Sequence, residues 1–96
     1  MTDPRGLEVL FIEHDPAVRL GSTQALHLAG IRVSGFGSAE KALDHIVPGF
    51  AGVLVTDVKL PGMDGLALLS LALKIEPTLP VILVTGHGDI TMAVQA

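Results

Sequence analysis

Short runs of apolar residues alternate along the chain with longer segments in which apolar residues recur at helical spacing. The runs are rich in β-branched side chains, which is typical of buried strands. Four strands are therefore predicted, at residues 9–12, 31–36, 53–58 and 80–85. The second run alternates apolar and polar residues, which predicts a half-exposed edge strand. The third consists largely of β-branched residues, which predicts a strand that is buried on both faces.

The segments between these runs carry residues that begin and end helices. Asp15 before Pro16 predicts the N-cap and first residue of a helix, and Gly30 predicts its left-handed end. Similar signals predict three more helices: one that Ser38 caps and Pro48-Gly49 ends, one at about 66–75, and one that Asp89 caps.

This alternation of strands and helices with short connections favours an α/β fold with a parallel sheet. In the flavodoxin-like strand order 2-1-3-4, the carboxyl ends of the first and third strands meet where ligands bind. Glu13-His14-Asp15 follow the first strand, Asp57 ends the third and Thr85 ends the fourth. Carboxylates beside a hydroxyl suit a hard divalent cation and a phosphoryl group. Asp57 has a second interpretation, because Asp also caps turns and a Pro-Gly pair follows.

The amino-acid composition excludes several classes of function. The 96 residues, 49% of them hydrophobic, suit one domain with a small core. The chain has no Cys, which excludes disulfides and thiolate catalysis and removes the usual structural zinc sites. A net charge of −4 without Trp or Tyr argues against direct contact with nucleic acid. No apolar run is long enough to span a membrane and no signal peptide is recognisable, so a cytoplasmic location is expected.

Three blocks of residues resemble the receiver domain of two-component response regulators. They are Glu13-His14-Asp15-Pro16, the segment Pro61-Gly62-Met63-Asp64-Gly65 shortly after Asp57, and Thr85-Gly86-His87-Gly88-Asp89. The resemblance covers about residues 7–96 and is strongest to the nitrogen-regulation, C4-dicarboxylate-transport and nitrogen-fixation regulators. It implies a flavodoxin-like doubly wound parallel sheet whose fifth strand and helix are missing. Residues 1–96 are thus expected to be a receiver domain that is incomplete at its C-terminal end.

The resemblance also implies a role for each site residue. Asp57 would be the phosphoacceptor, taking a phosphoryl group from a sensor histidine kinase to control a transcriptional output. Thr85 would be the switch hydroxyl. Glu13, Asp57 and the backbone carbonyl of Lys59 would bind Mg²⁺. The domain would at most catalyse its own phosphorylation and dephosphorylation, and it would not be an enzyme acting on a small molecule.

His14 departs from the family pattern, which has a second acidic residue at this metal position. Imidazole is a poor ligand for Mg²⁺, so His14 is expected to weaken Mg²⁺ binding and to make Mn²⁺ an alternative. Asp15 is an alternative ligand, although its predicted N-cap role ties its side chain to the helix. His14 also supports a second hypothesis, a phosphorylation-impaired pseudo-receiver that acts as a constitutive interaction or dimerisation module.

Two other kinds of phosphate-binding protein do not fit the sequence. A dinucleotide-binding fold requires Gly-x-Gly-x-x-Gly after the first strand, whereas Gly35-Phe36-Gly37 follows the second and Glu40 replaces the last glycine. A phosphatase of the aspartyl-phosphate type requires a second Asp two residues after the nucleophile, where Lys59 stands.

The predicted third helix is apolar nearly all round. Its expected core stripe is Leu66, Leu69 and Leu73, and its opposite side is also apolar, with Leu68, Leu71 and Ile75. The fourth strand is expected to leave an open sheet edge. Together these features predict a homodimer or a strand-exchanged oligomer.

Overall fold

The computed structural model describes residues 7–84 and 90–93, and strands alternate with helices along residues 7–84. The strands are β1 (Glu8–Ile12), β2 (Val33–Phe36), β3 (Gly52–Asp57), β4 (Val81–Val84) and β5 (Ile90–Ala93). The helices are α1 (Pro16–Leu28), α2 (Ala39–Leu43) and α3 (Gly65–Ile75). The sheet order is β2-β1-β3-β4-β5, with β1 to β4 parallel, so the predicted α/β fold with strand order 2-1-3-4 is confirmed. None of the helices in these two ranges is long and apolar enough to cross a membrane.

The core lies between one face of the sheet and helices α2 and α3. In the register of the parallel strands Leu10 lies beside Leu54, and Leu54 lies beside Val81. All three side chains are fully buried. The other buried members of this core are Ile12, Ala39, Ala42, Ile46, Leu60, Leu68, Ala72, Leu79 and Leu83. The sequence therefore supports one small hydrophobic core, as expected for its length.

The opposite face of the sheet is only partly covered. Helix α1 packs over β2 and β1, and none of its residues is buried. An apolar groove of about 530 Å³ remains beside it, lined by Val9, Phe11, Ser22, Ala25, Leu26, Val53, Val55 and Ile82. The prediction that the third strand is buried on both faces is therefore wrong for this face: Leu54 and Thr56 are buried, but Val53 and Val55 are half-exposed.

The predicted ends of α1 are confirmed, whereas the predicted end of α2 at Pro48-Gly49 is wrong. Helix α2 follows its predicted cap Ser38 but ends at Leu43, because the next backbone N–H groups bond to carbonyls three residues back instead of four. The Asp15 carboxylate accepts hydrogen bonds from the backbone N–H groups of Ala17 (2.9 Å) and Val18 (3.2 Å), as an N-cap does. Gly30 follows α1 with a φ of 83°, the left-handed conformation that glycine adopts without strain. These local signals fix where α1 begins and ends, and they place the residues just after β1 at the carboxyl edge of the sheet.

Helix α3 buries a different face from the predicted one. Its buried residues are Gly65, Leu68 and Ala72, whereas Leu66 is 52% exposed and Leu69 and Leu73 are half-buried. The reason lies at the start of the helix. A Cβ atom on Gly65 would stand 2.1 Å from the backbone oxygen of Asp57, so glycine lets the helix backbone approach the end of β3. That contact turns residue 65, and with it residues 68 and 72, toward the sheet.

The segment after Asp89 was expected to form a fourth helix, and this prediction is wrong. Ile90–Ala93 is a strand, β5, which pairs antiparallel with β4. The β4 edge offers backbone groups that need partners, and antiparallel pairing with β5 satisfies them. The predicted open edge at the fourth strand is therefore occupied by β5. Asp89 itself lies outside the described residues.

Candidate functional site

Two carboxyl groups lie side by side at the carboxyl edge of the sheet. Ile12 pairs with Thr56 in the register of β1 and β3, so the next residues, Glu13 and Asp57, are neighbours. The Glu13 side chain is only 15% exposed, and it interacts with the Asp57 side chain. The predicted acidic cleft is therefore formed by at least these two residues. The adjacency follows from the parallel pairing of two strands that each end on an acid.

The environment of Asp57 disfavours its charged form. Partial burial raises the pKa of the Asp57 carboxyl, and the hydrogen bond and negative charge of Glu13 raise it further. The charge of His14 opposes them and lowers the pKa of Asp57, but its effect is the smallest of those acting. Holding two carboxylates together costs free energy, and a cation bound between them would offset that cost.

The loop after Asp57 is tied to the strands and to α3. The backbone N–H of Val58 donates to the Val84 carbonyl (3.0 Å), and the N–H of Gly65 donates to the Val58 carbonyl (2.8 Å). The buried Thr56 hydroxyl donates to the Asp57 carbonyl (3.0 Å). The backbone on either side of the Asp57 carboxyl is therefore fixed. Lys59 lies in this loop and is exposed.

Glu40 of helix α2 reaches the same loop. Its carboxylate accepts a hydrogen bond from the backbone N–H of Met63 at 3.3 Å, beside Gly62, which has a φ of 75°. Glu40 lies in the first turn of its helix. No sequence signal indicated this contact, because the two residues belong to different elements that meet only in the folded chain.

His14 and Asp15 lie beside the Glu13 carboxylate, on its exposed side. The His14 side chain is 58% exposed, and its Nδ1 lies 3.9 Å from Glu13 Oε2. Asp15 uses Oδ1 to cap α1, and its backbone N–H donates to Glu13 Oε2 (3.0 Å). The expectation that Asp15 is tied to the helix is therefore confirmed. Thr85, the predicted switch hydroxyl, lies outside the described residues.

The oxygen atoms around Asp57 are of the kind that bind a magnesium ion. In the described part of the chain, no three His, Cys, Asp or Glu side chains cluster closely enough to hold a metal ion by themselves. Mg²⁺ does not require such a cluster, because it keeps several waters and is usually held by one or two carboxylates together with phosphate oxygens. Glu13 and Asp57 supply two carboxylates, and the Lys59 carbonyl lies on the adjoining loop. These residues fit Mg²⁺.

Comparisons with known proteins agree with this geometry. The family model described as the response regulator receiver domain matches residues 9–96. The C4-dicarboxylate transport transcriptional regulatory protein DctD of Rhizobium meliloti is 52% identical over 88 residues, which cover 92% of this chain and 19% of that protein. The transcriptional regulatory protein FixJ of Azorhizobium caulinodans is 41% identical over 93 residues, which cover 97% of this chain and 44% of that protein.

Solved structures show the same fold. The structure of the response regulator StyR superimposes with a TM-score of 0.78 at 36% identity, covering 95% of this chain and 46% of that one. The crystal structure of FixJ-N gives a TM-score of 0.74 at 35% identity, covering 93% of this chain and 69% of that one. This chain spans less than half the length of each of the two curated relatives.

Proposed function

Because this chain belongs to the response regulator receiver domain family, we propose that it accepts a phosphoryl group on Asp57 from the phosphohistidine of a sensor kinase. The observation that carries this proposal is the pairing of Glu13 and Asp57 at the adjacent ends of β1 and β3. We further propose that the complete protein is a cytoplasmic transcriptional regulator, because its relatives DctD and FixJ are described as transcriptional regulatory proteins.

The proposed reaction is a single displacement at phosphorus. A carboxylate oxygen of Asp57 attacks the phosphorus, the P–N bond to the donor histidine breaks, and its electron pair returns to the imidazole nitrogen. An acyl phosphate is left on Asp57. The raised pKa of Asp57 makes its ionised form a stronger nucleophile than an ordinary carboxylate, and the fixed backbone on either side holds it in place for attack.

Receiver domains generally bind Mg²⁺ for phosphorylation. In this chain Glu13, Asp57 and the Lys59 carbonyl would hold the ion. Bound Mg²⁺ would offset the negative charge that gathers on the phosphoryl oxygens. Thr85 would donate its hydroxyl to the phosphorylated site as the switch residue.

Phosphorylation can be tested on the intact chain with acetyl phosphate as a small donor. Mass spectrometry is expected to show the gain of one phosphoryl group in the presence of MgCl₂ and none after chelation with EDTA. A mass that stays unchanged across a range of Mg²⁺ and Mn²⁺ concentrations would support the pseudo-receiver hypothesis instead.

His14→Asp is expected to bind Mg²⁺ about tenfold more tightly and to be labelled faster, because it restores a hard oxygen ligand beside Glu13. His14 carries less negative charge than Asp, so it repels the incoming phosphoryl group less. Its weaker hold on Mg²⁺ is expected to slow labelling by more than this reduced repulsion speeds it, since the cation acts on the phosphoryl group directly. The affinity for Mn²⁺ is expected to differ less between parent and variant than the affinity for Mg²⁺ does.

The control for this comparison is Gln24→Glu, which adds one negative charge on the exposed part of α1. It should leave Mg²⁺ affinity within about twofold of the parent, because exposed charges are screened beyond ~10 Å. Equal Mg²⁺ affinity in parent and His14→Asp would mean that residue 14 does not contribute to the metal site.

We also propose that the chain forms a homodimer through the apolar groove beside α1. Among the residues that the structure describes, no charged side chain lines this groove, so two acidic copies can meet there without placing these side chains' charge in the interface. Sedimentation at increasing concentration should show a dimer that Leu26→Lys weakens, since Leu26 lines the groove. Leu28→Lys is the control, because Leu28 is 90% exposed and lies outside the groove. A compact monomer at high concentration would refute the proposal.

A further inference from the structure

Arg19 crosses from helix α1 to the carboxyl edge of the sheet. Its Nη1 donates a hydrogen bond to the backbone carbonyl of Glu13 at 2.8 Å, in a partly buried position. Arg19 is therefore joined to the residue whose carboxyl group lies beside Asp57, although it follows Glu13 by six positions and belongs to another element.

The Glu13 peptide is held from three sides. Its N–H donates to the Phe36 carbonyl of β2 (3.0 Å), and its side-chain Oε2 accepts from the N–H of Asp15 (3.0 Å). The third contact, at its carbonyl, comes from the Arg19 guanidinium. The first two contacts are made by backbone groups that α1 and the sheet already fix. Arg19 supplies the only one of the three that a side-chain substitution can remove.

The Gly35-Phe36-Gly37 segment gives the Arg19 side chain its path. A Cβ atom on Gly35 would stand 3.0 Å from Thr23 Cγ2 and 3.2 Å from Arg19 Cγ. A Cβ atom on Gly37 would stand 2.9 Å from Arg19 Nη1, the atom that reaches Glu13. The two glycines are thus explained by the space that the Arg19 side chain needs, and not by nucleotide binding.

We propose that Arg19 is a positioning residue, which sets the Mg²⁺ affinity of the site by fixing the orientation of Glu13. The inference rests on the proposed function, since it assumes that Glu13 and Asp57 bind the ion. Arg19 acts through the Glu13 peptide and does not touch the metal.

The sign of the effect separates this role from a simple charge effect. Arg19 is a cation near a cation site, so if only its charge mattered, its removal would tighten Mg²⁺ binding by reducing repulsion. If Arg19 positions Glu13, its removal weakens Mg²⁺ binding, because the carboxylate is no longer held where the ion requires it. The two explanations predict changes in opposite directions.

Calorimetric titration of the full chain with Mg²⁺ tests the proposal through three variants. Arg19→Ala removes the contact, and Arg19→Lys keeps the charge but loses the planar guanidinium. Gly37→Ala keeps Arg19 but places a methyl group 2.9 Å from Nη1, so the end of the Arg19 side chain has to shift. Each variant is expected to bind Mg²⁺ about tenfold more weakly than the parent, the usual effect of losing a partner that orients a ligand. When Gly37→Ala is added to Arg19→Ala, the affinity for Mg²⁺ should fall by less than about a further twofold, because both changes break the same contact.

Labelling by acetyl phosphate provides a second measurement. The Mg²⁺ concentration for half-maximal labelling should rise in all three variants, while the rate at saturating Mg²⁺ should stay near that of the parent. If Arg19 only stabilised the fold, the variants would show a lower melting temperature and a lower labelling rate even at saturating Mg²⁺. Tighter Mg²⁺ binding in Arg19→Ala, or unchanged binding in all three variants, would overturn the proposal. A parent that binds no Mg²⁺ would overturn the proposed function as well.

Discussion

Gly65→Ala is expected to destabilise the domain by roughly 3 kcal/mol, which corresponds to a melting temperature more than ~10 °C lower. The new Cβ would stand 2.1 Å from the Asp57 backbone oxygen and 3.0 Å from both the Asp57 carbonyl carbon and Val58 Cα. All three are backbone atoms of the strand and its loop, so no flexible side chain can move aside. Helix α3 would have to retreat, which would also break the hydrogen bond from the Gly65 N–H to the Val58 carbonyl.

The intrinsic preference of alanine for helices works against this effect but is too small to cancel it. Replacing glycine by alanine in a helix gains at most about 1 kcal/mol. Gly21→Ala provides the matched control, because Gly21 lies within α1 and its Cβ would meet no atom of the described residues within 4 Å. Thermal unfolding should therefore show Gly21→Ala as stable as the parent or slightly more stable. Similar melting temperatures for both variants would contradict the close packing of α3 on β3.

The parts of the fold that follow local rules could be predicted from the sequence. Asp15 before Pro16 and Gly30 marked the ends of α1, because capping depends on neighbouring residues alone. The Glu13–Asp57 pair could also be predicted, since parallel neighbouring strands bring their carboxyl ends to one edge. Here a short-range signal and one topological rule were sufficient.

Other features depend on contacts between distant parts of the chain. Both sides of α3 are apolar, so hydrophobic spacing could not decide between Leu66 and Leu68, and the backbone contact at Gly65 decided it. The segment Ile90–Ala93 can form a helix or a strand, and the β4 edge selects the strand. Arg19 and Glu40 looked like ordinary polar helix residues, because their partners lie in other elements.

Asp57→Asn is expected to abolish phosphoryl labelling completely, since an amide oxygen is a much weaker nucleophile than a carboxylate. The same substitution is expected to raise the melting temperature of the metal-free protein at neutral pH. Burial and Glu13 raise the pKa of Asp57 above its unfolded value, so the folded state binds the proton more tightly than the unfolded state does. Ionised Asp57 therefore costs stability at neutral pH, and a neutral amide removes that cost.

The pH dependence of this difference has a definite sign. As the pH falls through the raised pKa of Asp57, the parent gains a proton in the folded state and recovers the stability lost by ionisation. The melting temperatures of parent and Asp57→Asn should thus converge on acidification. Addition of Mg²⁺ at neutral pH should stabilise the parent more than the variant. An Asp57→Asn variant less stable than the metal-free parent at neutral pH would contradict the electrostatic account of the site.

Direct mapping of the phosphoryl group tests the central claim that Asp57 is the phosphoacceptor. Borohydride reduces an acyl phosphate of aspartate to homoserine, which peptide sequencing by mass spectrometry locates at single-residue resolution. After labelling with acetyl phosphate and Mg²⁺, homoserine is expected at position 57 of the parent and at no other acidic position. Homoserine at another aspartate, with residue 57 left as unmodified Asp, would contradict the account.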